Sequence, residues 1–154
     1  MEIADLLAPD AVLANLKATS KKQALQALAK RAAELTGLSE RSIFDILLKR
    51  ERLGSTGVGA GIAIPHGKLD GLDRIHGLFA RLERPVDFDA IDDRPADLIF
   101  MLLAPESAGA DHLKALARIS RLLRDKSICE KLRGADGADA IYALLTASLQ
   151  SQAV

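Results

Sequence analysis

The chain has 154 residues, with 21 Lys plus Arg against 21 Asp plus Glu and one cysteine, enough for a single domain with a substantial core. The balanced, interspersed charge leaves no electrostatic footprint for nucleic acid or a membrane surface, and a lone cysteine excludes an internal disulfide framework. No basic segment leads into a long apolar run, and the longest apolar stretch, Leu98–Pro105, is too short to span a bilayer, so a cytoplasmic protein is expected.

Ile3, Leu6 and Leu7 before Pro9, and Val12, Leu13 and Leu16 after it, read as a short helix followed by a strand. Ser20-Lys21-Lys22-Gln23 has the form of a capping box, and Leu25, Leu28, Ala29, Ala32 and Leu35 follow at helical spacing until Gly37. A second helix is predicted from Ser39 to Gly54. At about 100° per residue, Ile43, Ile46, Leu47, Arg50 and Leu53 share one face, which puts a guanidinium in an apolar stripe. Two readings of Arg50 stand: a stem buried with its head in water, or a phosphoryl-binding group carried to the helix end beside the following loop.

That loop opens the most unusual stretch, Gly54-Ser55-Thr56-Gly57-Val58-Gly59-Ala60-Gly61-Ile62-Ala63-Ile64-Pro65-His66-Gly67-Lys68. Read as one extended strand from Gly57 to Pro65, it places Val58, Ala60, Ile62 and Ile64 in an apolar row and leaves the opposite face nearly bare. Pro65, with no N–H to donate, is predicted to end the ladder, presenting His66 just past the strand. Neither known glycine-rich nucleotide motif fits: no helical pattern follows the G-x-G-x-G, and Leu69 stands where a P-loop needs Ser or Thr. Gly54-Ser55-Thr56-Gly57 is not a hydrolase elbow either.

Asp70-Gly71-Leu72-Asp73 reads as a turn and Ile75–Leu82 as a strand. His76 at its start is expected at a surface or sheet edge, since no other ligand stands near it at metal spacing. Asp87, Asp89, Asp92 and Asp93 lack the Gly and Glu of a calcium loop and are expected to be a solvated loop. Leu98–Ala104 is apolar on both parities, so helices must cover both faces of the sheet. A helix follows from about Leu113, with His112 in its first turn. There the imidazole would feel the positive end of the helix dipole, lowering its pKa beside N–H groups that attract anions; a histidine that merely caps the helix is the other reading. A short helix at 125–133 should hold Cys129 as a reduced, partly buried thiol. After Gly134–Gly137 a last helix is expected, capped by Asp136 or Asp139, with Ile141, Leu144, Leu145 and Leu149 inward and residues 150–154 frayed.

A presented histidine, an arginine at a helix end and a second histidine at a helix start satisfy neither a serine triad nor a zinc site. They do supply the parts of phosphoryl transfer: a neutral nitrogen to attack, with cationic groups and N–H donors around the phosphoryl oxygens. The run from Gly54 to Gly67, preceded by Arg50-Glu51 and followed by His112-Leu113, resembles the IIA component of the bacterial phosphoenolpyruvate-dependent phosphotransferase system. The similarity is to its fructose/mannitol superfamily, and most of all to the nitrogen-regulatory branch.

The resemblance implies an α/β fold, one domain over residues 1–154 with its core at about 3–149, a mixed sheet with helices on both faces, and no cofactor. It implies that His66 accepts a phosphoryl group from an HPr-like (NPr-type) carrier, with Arg50 and His112 surrounding it. The expected output is regulation of targets such as transporters or sensor kinases according to phosphorylation state. A transport IIA that hands the phosphoryl group to a IIB partner and a binding module that is never phosphorylated are the alternatives.

Overall fold

The computed structural model describes residues 2–152, with side chains described through residue 147. Its centre is β6 (Ala96–Ala104), whose residues from Leu98 to Ala104 are all essentially inaccessible to solvent. Leu98, Phe100, Leu102 and Ala104 enter one core, with α1 (Ile3–Leu6), α4 (Ala110–Leu123), α5 (Lys126–Gly134) and α6 (Ala138–Gln152). Ile99, Met101 and Leu103 enter the other, with α2 (Lys21–Thr36) and α3 (Glu40–Leu53). The apolar double parity of this strand is thus used in full, one parity per layer.

On one side β6 pairs antiparallel with β5 (His76–Val86), which pairs in parallel with β1 (Val12–Leu16). On the other side it carries two short parallel strands end to end, β3 (Ile62–Ala63) and β4 (His66–Lys68); β2 (Gly57–Gly59) lies antiparallel outside β3. The result is a mixed six-stranded sheet between two helical layers, the expected fold class. No helix is long and apolar enough to cross a membrane among the described residues.

The helix signals act locally as predicted, with small shifts. Ser20 Oγ accepts from Gln23 N (3.1 Å), while Gln23 Oε1 accepts from Thr19 N (2.9 Å) and Thr19 Oγ1 (2.7 Å), one residue earlier than a capping box requires. Gly37 ends α2 in the left-handed region, φ 76°. Ser39 and Asp125 cap α3 and α5 through their side chains, and Cys129 is buried and reduced. α6 starts from the Gly137 carbonyl, which accepts the Ile141 N–H (3.0 Å), so neither Asp136 nor Asp139 occupies the capping position. The helix is assigned through Gln152; residues 153 and 154 of the end expected to fray, and the Leu149 side chain, lie outside the described part.

The glycine-rich stretch is not one strand. Gly59 (φ 92°), Ala60 (φ 57°) and Gly61 (φ 83°) reverse the chain, so that β2 and β3 form a hairpin with Gly57 opposite Ala63 and Gly59 opposite Ile62. The glycines that suggested a bare strand face serve instead as turn residues, because positive φ costs little only at glycine, and Ala60 between them takes it against the preference of its Cβ. Val58, 57% exposed, and Ala60 therefore leave the expected apolar row, and only Ile62 and Ile64 are buried. Pro65 does not end the pairing either. Its carbonyl accepts the Leu102 N–H (3.0 Å), and the chain rejoins the sheet at once as β4.

One polar expectation also changes. His76 is half-buried on an interior strand rather than at a sheet edge, with Asp73 at 3.8 Å. The acidic loop is solvated as expected, with Asp87, Asp89, Asp92 and Asp93 all exposed, while Asp92 Oδ2 accepts the Ala60 N–H (2.8 Å) and Asp89 pairs with Lys21 (2.8 Å).

Candidate active site

β4 sets His66 by register. His66 lies opposite Leu102, and Leu102 belongs to the parity that faces α4, so the imidazole meets that helix. Gly67, of the other parity, faces α3, where Ile46 Cγ2 stands in the space a Cβ would take. A residue with a side chain at 67 would push β4 and α3 apart, so glycine here lets the helix carrying Arg50 approach the strand carrying His66.

The His66 ring is half-buried, and its Nδ1 lies 2.8 Å from the carbonyl oxygen of Ile64. A carbonyl only accepts, so Nδ1–H donates, and Nε2 is the nitrogen with the lone pair in the neutral ring. Burial pushes the His66 pKa below its ordinary value; the Ile64 bond pulls it up, the Arg50 charge presses it down and Glu51 opposes that.

His112 is the third residue of α4, 7% exposed, with its ring edge-on to that of His66 at 5.6 Å between centroids and 71° between planes. Its Nε2 is buried without a hydrogen-bond partner among the described residues. Its pKa is also lowered, first by burial and then by His66 and Lys68, so desolvation rather than the helix end is the leading cause.

Arg50 is half-exposed in the last turn of α3 and donates from Nη1 to the Gly54 carbonyl (2.9 Å), fastening the loop that begins the glycine-rich stretch. Of its predicted stripe, Ile43 and Leu47 are buried, but Leu53 is 83% exposed and does not pack. The structure therefore brings His66 and His112 into ring contact and sets Arg50 close enough for its charge to act on His66.

Sequence reasoning passed over Glu51. Its carboxylate is buried and accepts from Thr56 N (2.8 Å), Thr56 Oγ1 (2.5 Å) and Lys21 Nζ (3.3 Å). The available signal was periodicity: Glu51 follows Leu47 by one helical turn, so the stripe that buries Leu47 buries Glu51 too. Around the site, Leu53 and Leu113 stand exposed beside the Arg50 and His112 segments. No group of three or more His, Cys, Asp or Glu side chains is placed to hold a metal ion among the described residues.

Chemically, this is a neutral imidazole with one nitrogen fixed and one free, a second neutral imidazole in contact, and a cation at the rim. The family profile described as phosphoenolpyruvate-dependent sugar phosphotransferase system, EIIA 2, matches residues 5–148. The chain is 64% identical over 145 residues to a nitrogen regulatory protein of Bradyrhizobium diazoefficiens, covering 94% of this chain and 95% of that one. It is 40% identical to a nitrogen regulatory protein of Escherichia coli strain K12, over 95% of this chain and 90% of that one. Among solved structures, the nitrogen regulatory protein IIA-Ntr of Neisseria meningitidis superposes with a TM-score of 0.89 at 38% identity, over 94% of this chain and 99% of that one. The chain belongs to the EIIA type 2 family of the phosphoenolpyruvate-dependent sugar phosphotransferase system.

Proposed function

We propose that this protein is a regulatory phosphocarrier, in which His66 accepts a phosphoryl group from the phosphohistidine of an HPr-like (NPr-type) carrier. The observation that carries the reading is the pairing of a His66 ring fixed through Nδ1–H to the Ile64 carbonyl with a buried His112 nitrogen that has no partner. In the step, the Nε2 lone pair of His66 forms the new P–N bond in line as the carrier's P–N bond breaks. The bonding pair returns to the carrier's imidazole, and no proton has to leave His66. Nδ1–H stays on Ile64, where it steadies the ring as charge develops.

The phosphoryl oxygens would be met by Arg50 and by the His112 Nε2–H. Both histidines are held neutral at pH 7 by burial, which suits one to attack and the other to donate without locking the product in a cage of charge. Exposed Leu53 and Leu113 would form an apolar rim for transient docking of a carrier, at the small end of the interface range, roughly 1,200 Å² in total or less. The whole unit, about residues 3–149, would act as one cytoplasmic EIIA domain.

For the output, the relatives named nitrogen regulatory proteins favour regulation over sugar transport. Addition of roughly −2 charge at His66 would change which target, such as a transporter or a sensor kinase, binds this face without refolding the domain. The test is intact-mass spectrometry after incubation with phosphoenolpyruvate, enzyme I and an HPr-like carrier. Wild type should gain one acid-labile phosphoryl group and His66→Ala none; no gain by wild type with a competent donor refutes the reading.

A further inference from the structure

Ile64, whose carbonyl holds His66, is itself the end of a continuous chain of hydrogen bonds that begins in the acidic loop. Lys21 Nζ bridges Asp89 Oδ2 (2.8 Å) and Glu51 Oε1 (3.3 Å). Glu51 holds Thr56 twice, accepting its N–H at Oε1 (2.8 Å) and its hydroxyl at Oε2 (2.5 Å). The Thr56 carbonyl accepts the Ile64 N–H (2.9 Å), and the Ile64 carbonyl accepts the His66 Nδ1–H (2.8 Å).

We propose that Glu51 is a positioning residue for phosphoryl transfer: its carboxylate fixes Thr56, Thr56 fixes Ile64, and Ile64 holds the His66 ring in the one tautomer and orientation that leave Nε2 free.

Three observations carry this. First, the Glu51 side chain is only 3% exposed, and burying a carboxylate is costly; an apolar residue would fill the site with less loss, so the position invests in specificity rather than stability. Second, Pro65 has no N–H, so the Ile64 N–H is the one backbone donor between β3 and β4, and Thr56 takes it. The segment's other tie to the sheet is on the acceptor side, where the Pro65 carbonyl takes the Leu102 N–H (3.0 Å). Third, both oxygens of the carboxylate are spent on Thr56, the residue that makes this bond, and Lys21 offsets the buried charge from one side. Glu51 touches no reacting atom in this arrangement; it acts through two intervening residues.

The inference rests on the proposed phosphoryl transfer, and its test separates the two. Glu51→Gln, Thr56→Val and Thr56→Ser are compared with wild type by nitrogen NMR of the His66 imidazole and by the rate of phosphoryl uptake from the phosphorylated carrier, with urea unfolding as the control for fold. Wild type should show a single neutral Nδ1–H tautomer. Glu51→Gln and Thr56→Val should show mixed tautomers and uptake slowed by about 10-fold or more, as displacement of an attacking atom requires. Thr56→Ser, which keeps the hydroxyl, should restore both. Glu51→Gln should also lower the His66 pKa, since the carboxylate that favours imidazolium against Arg50 is lost, whereas Thr56→Val keeps that charge and should leave the pKa nearly in place.

Folded Glu51→Gln and Thr56→Val proteins that keep the wild-type tautomer overturn the proposal, whatever their rates. Failure of both to fold assigns the network to stability alone and overturns it equally. The tautomer readout needs no donor: a wild type that takes no phosphoryl group refutes the proposed function, while a tautomer that still responds to Glu51 leaves the positioning chain standing.

Discussion

β6 carries a polar cluster at each end, and the two are built on opposite terms. At its N-terminal end Asp97 receives a forked contact from Arg133 (Nε 2.8 Å, Nη2 2.9 Å), and Arg133 Nη2 also donates to the Ala60 carbonyl of the hairpin turn (3.0 Å). Beside it, Arg81 spends its guanidinium on the carbonyls of Ala14 (2.9 Å), Leu132 (3.0 Å) and Ala135 (2.6 Å), joining β1 to the end of α5. Opposite charges in contact push the Arg133 pKa up. At the C-terminal end, His66 and His112 meet without a carboxylate between them, one nitrogen has no partner, and burial pushes both pKa values down. A saturated cluster ties segments together; an unsaturated one keeps groups in a reactive state at an energetic cost.

The sharpest way to break this comparison is to cut each end and read both stability and chemistry. His112→Ala should slow phosphoryl uptake about 100-fold, the usual scale for losing one donor to a developing anion, while stability changes less. Arg133→Ala should do the reverse. It leaves Asp97 without its counter-charge and the Ala60 carbonyl unpaired, for a loss of about 2 kcal/mol in urea unfolding, below the scale of a fully buried pair because both side chains are partly exposed. Its uptake rate, at a concentration where the protein is fully folded, should stay within a few-fold of wild type. If Arg133→Ala stalls transfer as severely as His112→Ala does, the two ends are one device and the contrast fails.

The contrast also explains what the sequence made legible. Elements with many periodic apolar residues were readable: the double parity of Leu98–Ala104 announced a strand between two layers, and Ser20, Gly37 and Ser39 marked helix ends at single residues. His66, Arg50 and His112 could be singled out because each breaks its own local pattern. The hairpin was misread because glycine serves two purposes, a bare strand face or a left-handed turn, and only the pairing of Gly57 with Ala63 decides between them. Glu51 and Arg133 were passed over because their importance lies in partners 5 and 30 residues away in the first case and 36 and 73 in the second. Local pattern does not carry contacts of that range.

A pH titration probes the unsaturated end as a whole. His66, His76 and His112 all have folded-state pKa values lowered from the ordinary 6.5. Between each lowered value and 6.5 the unfolded chain binds more protons than the folded one, so stability rises with pH in that window. Urea unfolding should therefore show stability nearly constant above about pH 7 and falling as pH drops through 6.5. Deleting one imidazole, as in His112→Ala, should flatten the fall. A fall that begins only below about pH 5 belongs to carboxylates and contradicts the assignment. Uptake should hold through most of that window and decline at its lower end, as pH falls through the lowered folded-state pKa of His66 and Nε2 gains a proton in place of its lone pair.

The smallest effect concerns the saturated end. Ala60 sits in the hairpin turn at φ 57°, a conformation that disfavours any residue with a Cβ, and it is kept there by Asp92 on its N–H and Arg133 on its carbonyl. Ala60→Gly relieves the backbone strain but loosens the unfolded chain, and the two effects together should leave a net gain of about 0.5 kcal/mol. The more telling experiment is the same change in an Arg133→Ala background. If the clamp is what holds Ala60 against its preference, the freed turn relaxes, and the glycine gains less there than in the intact protein. A double-mutant cycle in urea measures that coupling. Equal gains in both backgrounds would mean that the hairpin keeps its shape unaided, and that Arg133 serves only the charge of Asp97.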